Sequence, residues 1–277
     1  MAYVGLAESY VTGDMLNRDA APKIKEAATK ALEIDPTLGE PHAALATIKD
    51  GNEGDWAGAE KEYRRAIELS PNYATAYHWL AESLAMQGRF DESFAEYKRA
   101  LEIEPYSLAI STDLGMAYYY ARQYDRAIEH LKKLIEMDPN YVRTHYYLAQ
   151  VYLEKGMFEE AIREIEKGAV LEGEDPAEFA KGKRQVLDAY KGSGARGYWQ
   201  QVLEFYKEDI RTGRRPHRLN MAKVYARLGA RDEAFAWLEK VFDIGEAGVI
   251  WLKVSPEWDS LRDDPRFPEL LKRVHLQ

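Results

Sequence analysis

The sequence has no cysteine among its 277 residues. Disulfides, thiolate nucleophiles and thiolate metal ligands are therefore excluded. It also lacks an excess of positive charge. The formal net charge is −9, whereas a general nucleic-acid binder is normally basic. An acidic surface also repels anionic membranes, so neither nucleic acid nor membrane is an expected partner. No apolar run approaches the roughly 20 residues that a spanning helix needs. Met1-Ala2-Tyr3-Val4 lacks the basic region and apolar core of a secretory leader. Together with the missing cysteines, this points to a cytoplasmic protein. Strand periodicity is absent too: apolar residues recur at three and four, not two, which predicts an all-α chain. Tyr3 to Tyr10 already reads as helix. That abrupt start suits either a chain cut from a longer one or a complete small protein.

What the sequence does have is a repeat. Between Tyr73 and Pro139 two segments superimpose at an offset of 34 residues. Tyr77, Leu80, Ala81, Leu84, Gly88, Phe90, Ser93, Tyr97, Ala100 and Pro105 recur as Ser111, Leu114, Gly115, Tyr118, Arg122, Tyr124, Ala127, Leu131, Leu134 and Pro139. A fixed period of that size marks a stacked array of helix pairs.

Taken in order, regular repeats run over 5–171. Leu6, Ala7 and Tyr10 suit the inner face of a first helix. Pro22 opens a second, which Asp35-Pro36 stops. Pro41 begins the next pair, with a turn at Gly51 to Asp55 and a helix from Trp56 to Ser70-Pro71. A fifth repeat covers Val142 to Leu171, with Gly168 standing where Ala100 stood. Residues 172–178 read as a linker. Residues 179–213 form a degenerate repeat with a loose turn at Lys191 to Gly197. A further repeat, 215–243, carries Met221, Ala222, Tyr225, Gly229, Ala234, Leu238 and Val241. In 244–277, Trp251, Trp258, Leu261 and Phe267 alternate with Pro256, Pro265 and Pro268. That composition predicts an irregular helical cap over the open face of the last repeat. The whole, 1–277, reads as a single solenoid of about seven helix pairs.

The pattern Leu80-Ala81, Leu84, Gly88, Phe90, Ser93, Tyr97, Ala100 and Pro105 resembles the tetratricopeptide repeat, as does its copy up to Pro139. The resemblance implies a right-handed α-α superhelix with a concave groove and a role in protein–protein interaction. Arg122 and Gly168 depart from the pattern and predict local variation. A narrower likeness links Trp56-Ala57-Gly58-Ala59-Glu60, Ala74 to Glu82 and the tail Asp259 to Phe267 to the C-terminal repeat regions of bacterial multidomain regulators. In those, winged-helix, cyclase or kinase domains come first; no such domain lies in these residues.

No catalytic motif occurs in the sequence. The six histidines form no His-Glu-x-x-His, and neither a phosphate loop nor Gly-x-Ser-x-Gly occurs. No catalytic residue, metal site or cofactor is expected. His42 and His145 read as packing or surface residues. The resemblance places the first helix of each pair on the concave face, which yields candidate groove residues His78, Glu82, Thr112, Met116, Tyr119, Tyr120, Arg143, Tyr146, Gln150 and Glu154. The tyrosines suit a peptide backbone, or else simply pack between helices. Replacing Tyr119 and Tyr146 by alanine is expected to weaken binding without unfolding the array. Relatives that clamp a carboxylate use lysine, arginine and asparagine where this chain has Thr112, Met116, Tyr146 and Gln150, which speaks against that activity. A basic patch, Arg211, Arg214, Arg215 and Arg218, suits either an acidic partner or a solvated turn. The reading is a non-enzymatic scaffold for a protein or peptide. The alternative is self-association, or a structural arm of a larger regulator.

Overall fold

The computed structural model describes residues 3–5, 20–214, 217–244 and 248–276. Among the described residues there is no strand, and no helix is long and apolar enough to cross a membrane. The expected first helix falls largely outside the described residues; Tyr3 to Gly5 are helical.

Helix ends follow from local chemistry. α1 (Ala21–Ile34), α3 (Trp56–Leu69), α5 (Phe90–Ile103) and α7 (Tyr124–Met137) each stop one residue before an X-Pro pair. Proline's ring forces the preceding residue out of the helical region. Asp35, Ser70, Glu104 and Asp138 accordingly have φ between −144° and −122° and ψ between 74° and 100°. The first helices between them are α2 (Glu40–Ile48), extended by a π-turn to Glu53, α4 (Ala74–Met86), α6 (Leu108–Tyr120) and α8 (Val142–Glu154). α9 (Phe158–Leu171) completes the last of these pairs.

Within a pair, the second helix buries a short stripe, such as Ser93, Tyr97 and Ala100 on α5. Small residues let the helices approach and the large one fills the space beside them. Ser93 Oγ donates to the Ala81 carbonyl at 2.7 Å, pinning α5 to α4. The turn inside each pair needs a left-handed residue: Gly88 has φ 83° and Gly156 φ 72°. Arg122 takes the same place with φ 63°, so its side chain did not alter the turn.

The chain packs as two compact units. The first comprises residues 1–117, 245–254 and 268–277. Its core joins Ile24, Ala28, Ala44, Ile48, Tyr63, Trp79, Leu80 and Leu84. Ile250, Trp251, Leu271, Val274 and Leu276 pack against Trp56 and Met86, and the Trp56 indole N–H donates to the Val274 carbonyl at 3.4 Å.

The second unit comprises residues 118–244 and 255–267. Here the degenerate repeat is one helical run, α10 (Pro176–Arg211), broken where Ser193 and Gly194 leave helical geometry. Its two halves fold together: Tyr190 and Tyr198 both pack at a tilt against Phe158, ring centroids 4.8 Å away in each case. α11 (Arg218–Leu228) and α12 (Arg231–Ile244) form the last pair. Trp258 and Leu261 are fully buried in this unit, and Ser260 Oγ donates to the Ala226 carbonyl of α11 at 2.9 Å. The expected terminal cap is thus divided. Its middle covers α11, while the residues flanking it cover Trp56 and Met86 in the first unit. α13 (Arg266–Arg273) closes the described chain.

Candidate functional site

Taken unit by unit, only Arg143 of the residues named for a concave groove is fully exposed. In the first unit, ten of the thirteen residues of α4 are buried, so both its faces are covered. His78 and Glu82 keep some exposure, whereas Thr112 and Met116 are buried. In the second unit Tyr119 is fully enclosed. Its hydroxyl donates to Glu154 Oε1 at 3.3 Å and accepts from Gln150 Nε2 at 3.2 Å. Tyr119 is therefore a core residue, and the expectation that alanine leaves the array folded fails for it. Tyr146 lies over Gly168: a Cβ added at Gly168 would sit 2.9 Å from the ring. The phase lost at Gly168 is thus space taken by Tyr146, whose hydroxyl donates to Glu172 at 2.7 Å. Arg143 is exposed and donates to the Tyr147 hydroxyl at 2.9 Å; Tyr120 is half-buried.

Gln150 and Glu154 are held by residues from much later in the sequence. Gln150 donates to Glu257 at 2.8 Å, Lys223 donates to the same oxygen at 3.0 Å, and Arg227 pairs with Glu154. Burial opposes ionisation of Glu257, but the charges of Lys223 and Arg227 prevail and hold its carboxyl at about 2. This network anchors the segment around Glu257, so Gln150 and Glu154 serve packing within the unit.

The second unit does contain an accessible cleft of about 990 Å³. Ile162 and Ile165 of α9 form one wall; Phe179, Val186, Val202 and Phe205, from both halves of α10, form the others. Gly182 faces the Phe205 ring there at ordinary contact distance. The rim mixes Lys181, Lys183 and Arg214 with Glu178, Glu208 and Asp209. Sequence periodicity missed it because α10 follows no repeat template. The signal was an aromatic excess, Phe179, Tyr190, Trp199, Phe205 and Tyr206, in a stretch with degenerate phase.

The basic patch is largely met by its own neighbours. Arg211 pairs with Glu208 at 2.6 Å, Arg214 with Asp209 at 3.7 Å, and His217 with Asp209 at 2.9 Å. Arg218 is half-buried, and Arg215 lies outside the described residues. His42 and His145 each pair, at 2.7 Å, with a glutamate of their own repeat, Glu62 and Glu164.

One cluster brings ligand-type atoms together. His78 Nε2 lies 3.0 Å from Asp113 Oδ2 and 3.9 Å from Glu82 Oε2. Among the described residues it is the group of three or more such side chains placed to share a cation, with donor atoms all within 4.8 Å of one another. Asp113 was not in the sequence-derived set. Its separation from His78 is one residue more than the repeat period, so the stacking of α6 beside α4 brings it there. Nearby, Asp50 is buried and accepts from the Tyr63 hydroxyl at 3.2 Å. Burial, reinforced by the charge of Glu82, pushes its carboxyl up to about 7 despite hydrogen bonds from Ser83, Tyr63 and Gly51.

Comparison with known families matches tetratricopeptide-repeat models at residues 52–88, 72–140, 118–186 and 217–247. Together these take in more than half of the chain. No curated protein matches the sequence. Among solved structures, pilF of Pseudomonas aeruginosa is 18% identical over 91% of this chain and 94% of its own, with a TM-score of 0.53. TTC0263 of Thermus thermophilus, a thermophilic TPR protein, is 20% identical over 65% of this chain and 96% of its own, also at 0.53. MamA is 23% identical over 60% and 92%, at 0.45. At such identities the likeness is one of fold. The family-model matches, with the paired helices and the 34-residue period, lead to one conclusion: the chain belongs to the tetratricopeptide-repeat proteins.

Proposed function

We propose that the chain is a non-enzymatic scaffold that binds a segment of a partner protein, and that the segment seats in the cleft of the second unit. The observation that carries this reading is the cleft itself. At about 990 Å³, walled by Phe179, Val186, Val202 and Phe205, it has the size and apolar lining of a recognition site. A rim of both charge signs suits a segment that inserts apolar side chains and sets polar ones at the edge. Peptides selected from a displayed library on the whole protein supply the probe. Phe179→Ala and Val202→Glu are expected to weaken the selected peptides at least about tenfold, the scale of one well-buried anchor. Arg143→Glu, on the first-helix face, is expected to leave them unchanged. The reverse pattern would move the site to the first helices and sink the cleft reading.

The alternative, self-association or service as an arm of a larger regulator, draws on a different observation. Large apolar side chains stand exposed at the ends of second helices at multiples of about the repeat period: Ile34 in the first unit, Met137 and Leu171 in the second. Sedimentation over a concentration series tests it, and a monomer throughout would remove self-association.

A further inference from the structure

We propose that His78, Glu82 and Asp113 form a binding site for a divalent transition-metal ion, with zinc the best match to the donor set. His78 and Glu82 stand four residues apart on α4 and so share one helix face. Asp113 comes from α6, the first helix of the next repeat. The ligands therefore sit on two helices of one packed unit, which gives a rigid frame. The side chains of His78, Glu82 and Asp113 are 12%, 12% and 5% exposed. That is enough shielding to strengthen ligation and enough opening for an ion to enter.

The distances suit a small ion. Zinc–ligand bonds of about 2.0–2.2 Å in a tetrahedral shell put neighbouring donors roughly 3.3–3.6 Å apart. His78 Nε2 lies 3.0 Å from Asp113 Oδ2 and 3.9 Å from Glu82 Oε2, and the three donor atoms lie within 4.8 Å of one another, close to the spacing of three corners of that shell. The His78 ring packs at a tilt against Tyr97, centroids 5.8 Å apart, which limits its freedom to turn away.

The chemistry of the set selects the ion. An imidazole nitrogen favours zinc and its transition-metal neighbours, whereas magnesium and calcium take oxygen ligands alone. Three protein ligands leave a fourth position for water or a donor from a bound partner. His42 with Glu62 and His145 with Glu164 offer two ligands each and provide an internal comparison. Ligation here would tie α4 to α6 and so stiffen the stacking of adjacent repeats.

Calorimetric titration of the full chain, freed of metal by a chelator, with zinc chloride tests the assignment. One zinc per chain is expected, with no heat from magnesium chloride. Affinity is expected to fall at least about tenfold in His78→Gln and in Asp113→Asn, and to stay unchanged in His42→Gln. Absence of zinc binding, or binding that survives both substitutions, would overturn the proposal. Because Asp113 is buried, cobalt loading of the unaltered chain gives a reading independent of the variants' folding. Absorption bands of a four- or five-coordinate ion support the site, and the spectrum of the free aqueous ion refutes it.

Discussion

Replacing Gly197 by alanine sets two effects against each other, and the structure decides which prevails. In a helix interior, glycine to alanine normally gains about 0.8–1.0 kcal/mol. Gly197, however, sits where the two halves of α10 cross. A Cβ there would lie 2.1 Å from the Ala189 carbonyl oxygen, 2.8 Å from its carbon and 3.1 Å from Ser193 Cβ. Relieving the first contact means separating the halves by roughly an ångström, because the obstacle is backbone and cannot rotate aside. Overpacking of this kind costs about 1–3 kcal/mol and more where backbone must move. The net expectation is a loss of about 1–2 kcal/mol, carried by strained packing around Phe158 and Tyr198. Gly192 is the control. It lies in the same helical run, exposed, with nothing within 4 Å of an added Cβ. Gly192→Ala is therefore expected to gain up to about 1 kcal/mol. Urea unfolding followed by far-ultraviolet circular dichroism and by tryptophan fluorescence, with Trp199 close to the crossing, measures both. If the two variants are stabilised alike, the halves of α10 do not approach as closely as described, and the cleft they wall loses its basis.

Three other perturbations test separate parts of the fold. Tyr119→Ala is expected to destabilise by about 3–5 kcal/mol, the cost of emptying a buried aromatic position, read as a shifted urea midpoint. Arg122→Gly relieves a left-handed backbone costing about 1–2 kcal/mol but removes the half-exposed contact to Asp259 at 2.8 Å, worth about 0.2–1 kcal/mol. In an Asp259→Asn background the ion-pair loss drops out, and the relief, offset by the lost donation from Arg122 to the Tyr120 carbonyl, should leave a gain of up to about 1 kcal/mol on thermal unfolding. Asp50 titrates near 7 when folded, raised from 3.8 by burial first and the Glu82 charge after it. Its contribution is thus fully present below about pH 4 and is lost as pH rises through 7, since the unfolded chain gives up the proton first. About three units correspond to roughly 4 kcal/mol at most. Unfolding free energies at pH 4.5 and 7.5 should converge in Asp50→Asn relative to the unaltered chain; an unchanged slope would refute the burial argument.

Much of the fold was legible because a few residues have one physical role each. The X-Pro pairs at 35–36, 70–71, 104–105 and 138–139 stop helices by steric exclusion, whatever their surroundings. Gly88 and Gly156 permit a left-handed turn, and the period carries that inference across Arg122. Gly168 could not be interpreted alone, since its meaning lies in the Tyr146 ring that occupies its missing side chain's place. Asp113 was missed for a related reason. A groove list built helix by helix collects residues on one face, whereas a ligand set crosses from one repeat to the next. The destination of the tail was illegible from local pattern, because Trp251, Leu271 and Leu276 state only that they need an apolar partner.

The composition of α4 nevertheless contained a clue about that partner. A helix with one apolar stripe leaves its other face to solvent, but a helix apolar on most sides must be covered on most sides. Trp79, Leu80, Leu84, Ala85 and Met86 spread around α4, beyond what its own pair and the adjoining repeat require. Met86 receives Leu276 and its neighbours, so the tail is the cover that the composition demanded. Coverage of this kind also favours the proposed cleft over the first-helix face. A first-helix face already covered by its own chain has little apolar area left to exchange for affinity. The walls of the cleft between the halves of α10, with Phe179, Val202 and Phe205 only partly buried, still do. On the proposed reading the regular repeats act as frame, and the segment that breaks the repeat pattern offers the surface for recognition.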